Sequence, residues 1–446
     1  MTRMHFFSRS RSVRRLGGAL AVAMAVSTLT PMAASRSAIA LHDDPQAVLD
    51  EAWQIVNRSY VDEDFNQVDW QAVRQDLLET EYASPEQAYA ALVDALELLE
   101  DPYTRFMDPE EFETLTNQTS GELSGVGIRL QADPDTSSIV VVEPLMSSPA
   151  MAAGLRTGDR ILAINGESTA NMTVQQASER IRGEVGTQVM LRLERDTVGA
   201  FEVSLNRARI AVPAVNYTLR EEGANRIGYI RLTEFSSHSP QQMQQAIETL
   251  LDDGANGFVL DLRNNPGGLL QASIDISRMW IDEGAIVQTV DRRGRTEDFS
   301  ANQTALTDLP LAVLVNGNSA SSSEILTGAL LDNDRAIVIG RQTFGKALVQ
   351  SVHPLSDGSG LAVTVAHYYT PNGTDISHRG ITPNIEVQLS QEQQLALAER
   401  PELIGTGADP FYAEALESLQ PGMLTYRLRS VTTQVGQRDH ENPRGN

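Results

Sequence analysis

Apolar residues recur at helical spacing in the first third of the chain, alternate in short runs through the middle, and then form solid blocks separated by amphipathic stretches. Ser84-Pro85-Glu86-Gln87 combines an N-cap serine, proline at the first helical position and a glutamine placed to close a capping box. Ala88, Leu92, Leu96 and Leu99 follow on one face and predict a helix over 84–100. An earlier amphipathic stretch over 48–60 completes a helical N-terminal domain, 41–117. Asp101-Pro102-Tyr103-Thr104 then breaks the pattern, and the polar residues 117–120 read as a linker.

The middle of the chain predicts strands at 126–130, 139–142, 160–164 and 189–195 with one short helix at 174–182, a compact β-rich module over 118–208. Beyond Pro213 the rhythm changes. Strands at 227–232, 258–262, 311–315 and 337–339 are interleaved with helices at 239–253, 269–280 and 321–332, which implies an α/β domain with a partly parallel sheet over 209–390. The polar, Gln-rich remainder, 391–446, reads as a C-terminal appendage with a mobile end. The expected class is α+β multidomain.

The N-terminus changes the picture of where the protein works. Arg3, Arg9, Arg11, Arg14 and Arg15 precede a mostly apolar run over 16–29, and Ala38-Ile39-Ala40 forms a small-residue cleavage site. That is a secretory signal over 1–40, too short in its apolar part for the roughly 20 residues of a transmembrane helix. The mature chain is therefore expected outside the cytoplasm with no integral membrane anchor. The first 40 residues carry six Arg and no acidic residue, so the formal charge of −24 becomes −30 beyond Ala40. Such a surface repels nucleic acid. With no Cys, disulfides, thiolate metal sites and a Cys nucleophile are excluded. No His-Glu-x-x-His run or phosphate-cradling loop is present, so neither metal nor organic cofactor is implied.

Two constellations carry chemistry. In Ser124-Gly125-Val126-Gly127-Ile128 two glycines precede an apolar strand, so that successive N–H groups can converge on a peptide's terminal carboxylate while the strand edge accepts the rest of the peptide. The second lies where the strand at 311–315 runs through Asn316-Gly317-Asn318-Ser319-Ala320-Ser321-Ser322-Ser323 into an apolar helix. A serine there sits at the positive end of the helix dipole, suited to a nucleophile, though a Ser-rich turn is more often only a cap. Spacing alone leaves Ser319, Ser321, Ser322 and Ser323 open. None of the seven His stands in a triad context. Lys346, flanked by apolar residues, is the alternative base, because burial favours the neutral amine. Gln350, four residues on, faces the same side in helix or strand.

The segments Ser148 to Leu155 and Gly158 to Gly166 resemble the middle of bacterial PDZ domains. By that resemblance Gly125, Val126, Gly127 and Ile128 form a carboxylate-binding loop. Asn318 to Leu330, Thr343 to Gln350 and Asp261-Leu262-Arg263-Asn264-Asn265-Pro266-Gly267-Gly268 resemble the signature set of the carboxyl-terminal processing peptidases, in particular their cyanobacterial and chloroplast branch. That resemblance implies an α/β peptidase core with a Ser/Lys dyad: Ser321 as nucleophile, Lys346 as general base, Gln350 as its partner, and the backbone N–H groups of Gly267 and Ser322 as oxyanion hole. Arg263 and Asn264 would shape the loop. It also implies protein substrates with free C-termini, in the periplasm or thylakoid lumen, a lumenal photosystem II precursor among the candidates. Asn318, Ser322 and Ala347 depart from the family's usual smaller residues. A catalytically silent PDZ adaptor and a His-dependent protease are the competing classes; the intact Ser321, Lys346 and Gln350 argue against the first, and the order of domains against the second.

Overall fold

The computed structural model describes residues 45–134 and 136–419; the expected signal segment and the end of the appendage lie outside them. Among the described residues no helix is long and apolar enough to cross a membrane.

Helices Pro45–Ser59, Trp70–Glu79 and Pro85–Glu97 pack around Leu49, Trp53, Trp70, Leu92 and Leu96. This cluster continues into Leu355, Leu361 and Val363 of a hairpin made by Leu348–Pro354 and Gly360–Tyr369. Strand Arg105–Met107 pairs antiparallel with the same hairpin, Arg105 opposite Ala362. The helices therefore share a core with the C-terminal half of the chain. Where a linker was expected at 117–120, helix Pro109–Ser120 runs on to Gly121. Asp108 and Glu111 close a capping box at its start, and Gly121 ends it at φ 70°. Capping, not an apolar face, defines this helix, since none of its residues is buried.

The chain then crosses into the β-rich module through Glu122–Gly125 and leaves it through Ala208–Ala211, two strands paired antiparallel with each other. Between them Ile128–Ala132, Ile139–Pro144, Arg160–Ile164, Gln188–Arg195 and Gly199–Asn206 form a sheet, and helix Val174–Ile181, capped by Thr173, lies against it. Val126, Ile139, Ile161, Ile181 and Leu191 fill the interior.

The last domain is built on a six-stranded sheet. Its order is Val215–Glu222, Asn225–Leu232, Gly257–Asp261, Leu311–Val315, Ile337–Gly340 and Ile385–Glu386, with the first pair antiparallel and the rest parallel. Gly257–Asp261 and Leu311–Val315 are buried throughout, because both sheet faces are covered. Leu260 and Val313 face helices Ser239–Asp252, Leu270–Arg278 and Ser322–Asp332, with Met243, Ile274 and Leu326 between them. Val259, Ala312 and Leu314 face Phe411, Tyr412 and Ala415 of helix Pro410–Ser418. The polar segment after Ser390 thus supplies the second cover of the sheet.

Candidate active site

Strand Leu311–Val315 ends in a turn whose backbone is held by Asn264 and Asn316. Asn264 Oδ1 accepts from the side-chain amides of Asn316 and Asn318, each at 2.9 Å. Asn318, one of the departures noted above, is thereby a brace of the turn. Ser321 follows at φ 54°, ψ −116°, outside ordinary helix and strand regions, immediately before helix Ser322–Asp332. A non-glycine residue held there costs of order 1–3 kcal/mol and persists only because its surroundings fix it.

The four serines left open by spacing differ sharply in what their hydroxyls do. Ser319 donates to the Leu262 carbonyl at 2.8 Å, Ser322 to Gly268 at 3.0 Å and Ser323 to Asn265 at 2.9 Å. All three are buried. Ser321 is half-buried and lines a cavity of about 290 Å³. Lys346 and Gln350 line the same cavity, as do Ser322, Leu269 and Tyr368.

Lys346 enters from the loop before strand Leu348–Pro354. Burial pushes its ammonium below the ordinary lysine value; Asp101 opposes this, Arg105 adds to it and Glu324 opposes it. Its Nζ lies 4.4 Å from the centroid of the Tyr103 ring. Gln350 Nε2 donates to Thr364 Oγ1 at 3.4 Å, which fixes its amide toward the neighbouring strand.

Gly267 approaches Ser321 closely. At φ 106°, a Cβ on it would stand 2.8 Å from the Ala320 carbonyl oxygen and 2.9 Å from Ser321 Cβ, so only glycine fits. Its N–H donates to Asn265 Oδ1 at 2.9 Å. Among the described residues no acceptor pairs with the Ser322 N–H.

Two residues that sequence reasoning passed over tie these parts together. Glu324, fully buried, accepts from the N–H groups of Ser321 at 2.9 Å, Gly345 at 2.7 Å and Lys346 at 2.9 Å, and from Thr343 Oγ1 at 2.5 Å. Burial raises its pKa against the pull of those donors. The Tyr368 hydroxyl donates to the Ser321 carbonyl at 3.2 Å and to the Lys346 carbonyl. Glu324 sits three residues after Ser321, the spacing of a capping box, and that was the available signal. Nothing in the sequence marks Tyr368.

Arg263 sits behind the turn. Its guanidinium bridges Asp261 at 2.6 Å and Asp409 at 2.7 Å, both buried, while Tyr229 donates to Asp261 at 2.6 Å. Burial opposes ionisation of Asp261, yet the Arg263 charge and these hydrogen bonds hold its carboxyl below the usual value.

In the β-rich module, Gly125, Val126, Gly127 and Ile128 line a second, smaller cavity of about 100 Å³ with Leu145, Ile181 and Arg182. Among the described residues neither the Val126 nor the Gly127 N–H has a hydrogen-bond partner. Gly127 is required sterically: its φ is 75° and a Cβ would lie 2.2 Å from Ser148 Cβ. Gly125 ends a strand with open space around it, so the pair of glycines is one constraint, not two.

The Peptidase family S41 profile matches residues 226–387, a PDZ domain profile 140–195, and a Tricorn protease C1 domain profile 41–78. The chain is 42% identical over 407 residues to a carboxyl-terminal-processing protease of Synechocystis sp., covering 91% of this chain and 93% of that protein. It is 40% identical over 346 residues to the chloroplastic carboxyl-terminal-processing peptidase 2 of Arabidopsis thaliana, covering 75% and 67%. Among solved structures it resembles a photosystem II D1 C-terminal processing protease, with 35% identity, a TM-score of 0.52, and coverage of 83% of this chain and 99% of that one.

Proposed function

Since the chain belongs to the carboxyl-terminal-processing peptidases of serine peptidase family S41 and carries a PDZ domain, we propose that it is an exported endopeptidase acting through a Ser321/Lys346 dyad. A substrate's free C-terminus docks at Gly125, Val126, Gly127 and Ile128, and a bond upstream of that tail is cut. The observation that carries this reading is the convergence of Ser321, Lys346 and Gln350 on one cavity, with Ser321 the one serine of its turn whose hydroxyl is not spent on a backbone carbonyl.

Each part has a physical role. Lys346, depressed by burial, takes the Ser321 proton as a neutral amine. Gln350 orients that amine. The Ser321 oxygen attacks the scissile carbonyl, and the oxyanion of the tetrahedral intermediate is held by the Ser322 N–H and by the Gly267 N–H once it leaves Asn265. Collapse, with the protonated Lys346 giving its proton to the leaving nitrogen, expels the C-terminal fragment as an amine and leaves an acyl-enzyme on Ser321. The now neutral Lys346 takes a proton from the attacking water and returns it to the Ser321 oxygen as the acyl group leaves as a carboxylic acid. No step needs a metal. Export to periplasm or thylakoid lumen is supported by the pattern over 1–40 and by the chloroplastic relatives, and the C-terminal tail of a photosystem II reaction-centre precursor is a substrate to try first.

The test is cleavage of a peptide with a free apolar C-terminus, followed by mass spectrometry of the fragments. Wild type should release a C-terminal fragment, while Ser321→Ala and Lys346→Ala should bind the peptide and leave it whole. Cleavage by either purified variant would overturn the assignment.

A further inference from the structure

A cavity of about 690 Å³ opens between the end of helix Pro45–Ser59 and the hairpin of Ala285–Asp291 and Thr296–Ser300. Arg58, Arg292, Arg293 and Arg295 line it, against Asp291 and Glu297. Four arginines gathered from two distant segments are unexpected on a chain of formal charge −24. They divide into two kinds. Arg292 is fixed by donation to the Asn57 carbonyl at 3.0 Å and stands 3.6 Å from Glu63, and Arg295 pairs with Asp291 at 2.5 Å. Arg58 and Arg293 are exposed and, among the described residues, in no ion pair. The fixed pair shapes the wall; the free pair is available to a ligand.

Leu270 and Val349 line both this groove and the cavity that holds Ser321 and Lys346. Leu115 and Thr119, on the helix that runs into the PDZ module, line the catalytic cavity as well. Leu115 and Thr119 thus mark the side of the cavity from which the helix leads to that module, and Leu270 and Val349 the side shared with the arginine groove. We propose that this groove is a subsite for an acidic peptide segment upstream of the scissile bond, recognised by Arg58 and Arg293. The proposal rests on the preceding section's reading that the tail docks in the PDZ module, and it routes the chain N-terminal to the scissile bond past Leu270 and Val349. A positive groove walled by protein focuses its field locally even when the molecule as a whole is negative, which lets an acidic segment be drawn in against the net charge. Arginine suits the task, since its planar fork meets carboxylates with paired hydrogen bonds.

The experiment compares two peptides with the same C-terminal tail, one with an Asp/Glu-rich upstream segment and one with its Asn/Gln counterpart, on wild type and on the Arg58→Gln/Arg293→Gln double variant. Two partly exposed pairs support a preference of about five-fold in kcat/KM for the acidic peptide. The preference should fall at high salt and vanish in the double variant, whose rate on the neutral peptide stays unchanged. Equal rates on both peptides by wild type, or a preference that survives the double variant, would sink the proposal. Binding of the same peptides to Ser321→Ala, followed by fluorescence anisotropy, separates the two readings. Cleavage by wild type without preference refutes the groove alone; preferential binding by Ser321→Ala when wild type cuts neither peptide refutes the peptidase mechanism and leaves the groove standing.

Discussion

The ammonium of Lys346 lies 4.4 Å from the centroid of the Tyr103 ring. Tyr103 belongs to the N-terminal part of the chain, so the proposed base is gripped by a residue far from it in sequence. A ring face stabilises the charged form of lysine by about 0.5–2 kcal/mol. Tyr103→Leu keeps the cavity apolar and removes that stabilisation. On the proposed mechanism activity rises with pH as Lys346 becomes neutral, and the variant's rise should come about half to one pH unit earlier. A kcat/KM profile against pH measures this; an unmoved acid limb would mean that Tyr103 only fills space.

Glu324→Gln should lower kcat/KM about 10- to 100-fold with KM little changed, because hydrogen bonds to a charged acceptor are worth about 1.5–3 kcal/mol. The carboxylate accepts from both Ser321 and Lys346 N–H groups, so an amide in its place turns a donor against donors and lets the two segments drift apart. Steady-state kinetics on a short peptide check it. A rise in KM with kcat unaffected would contradict this account.

The two glycines of the proposed carboxylate loop should behave differently. Gly127→Ala forces a Cβ against Ser148 at positive φ and should raise KM for tail-bearing peptides about ten-fold or more, since a strained residue costs 1–3 kcal/mol. Gly125→Ala meets open space and should bind nearly as wild type. Peptide titration of the two variants on a Ser321→Ala background reads the difference directly.

Arg263→Leu should destabilise the peptidase domain by about 3–5 kcal/mol, because it strands the buried carboxylates of Asp261 and Asp409. The sign with pH follows from Asp261, whose folded value is depressed. In wild type its contribution is complete above the unfolded carboxyl value of roughly 3.9 and is lost as pH falls through the lower folded value. Without the arginine, burial dominates and the carboxyl is raised. The variant's deficit should therefore shrink on acidification toward pH ~4, as denaturant melts across pH would report.

Much of this architecture could be read from the chain. Blocks such as Leu311–Val315 announce a doubly covered parallel strand, and the glycine-bounded PDZ segments carry their own pattern. The hairpin of Leu348–Pro354 and Gly360–Tyr369 did not stand out. Along Leu348–Pro354 every residue is half-buried or exposed, and Leu348, Val349, Gln350 and Val352 all line the cavity that holds Ser321, so no alternation is strong. Only the family resemblance singled out Ser321; spacing alone left the choice among the serines illegible, for a different reason. The carbonyls that occupy Ser319, Ser322 and Ser323 belong to Leu262, Gly268 and Asn265, which reach them only through the tertiary fold. Asp409 was hidden likewise: one acid in a polar stretch gains meaning only against Arg263.

The pairing of Arg105–Met107 with Gly360–Tyr369 joins an early segment to one of the last strands to be made. A polypeptide emerging from the ribosome exposes its helices long before the hairpin that completes their core arrives. Tyr103 and Lys346 can meet only after that hairpin has zipped, so the nascent enzyme stays inert until nearly its whole length is delivered.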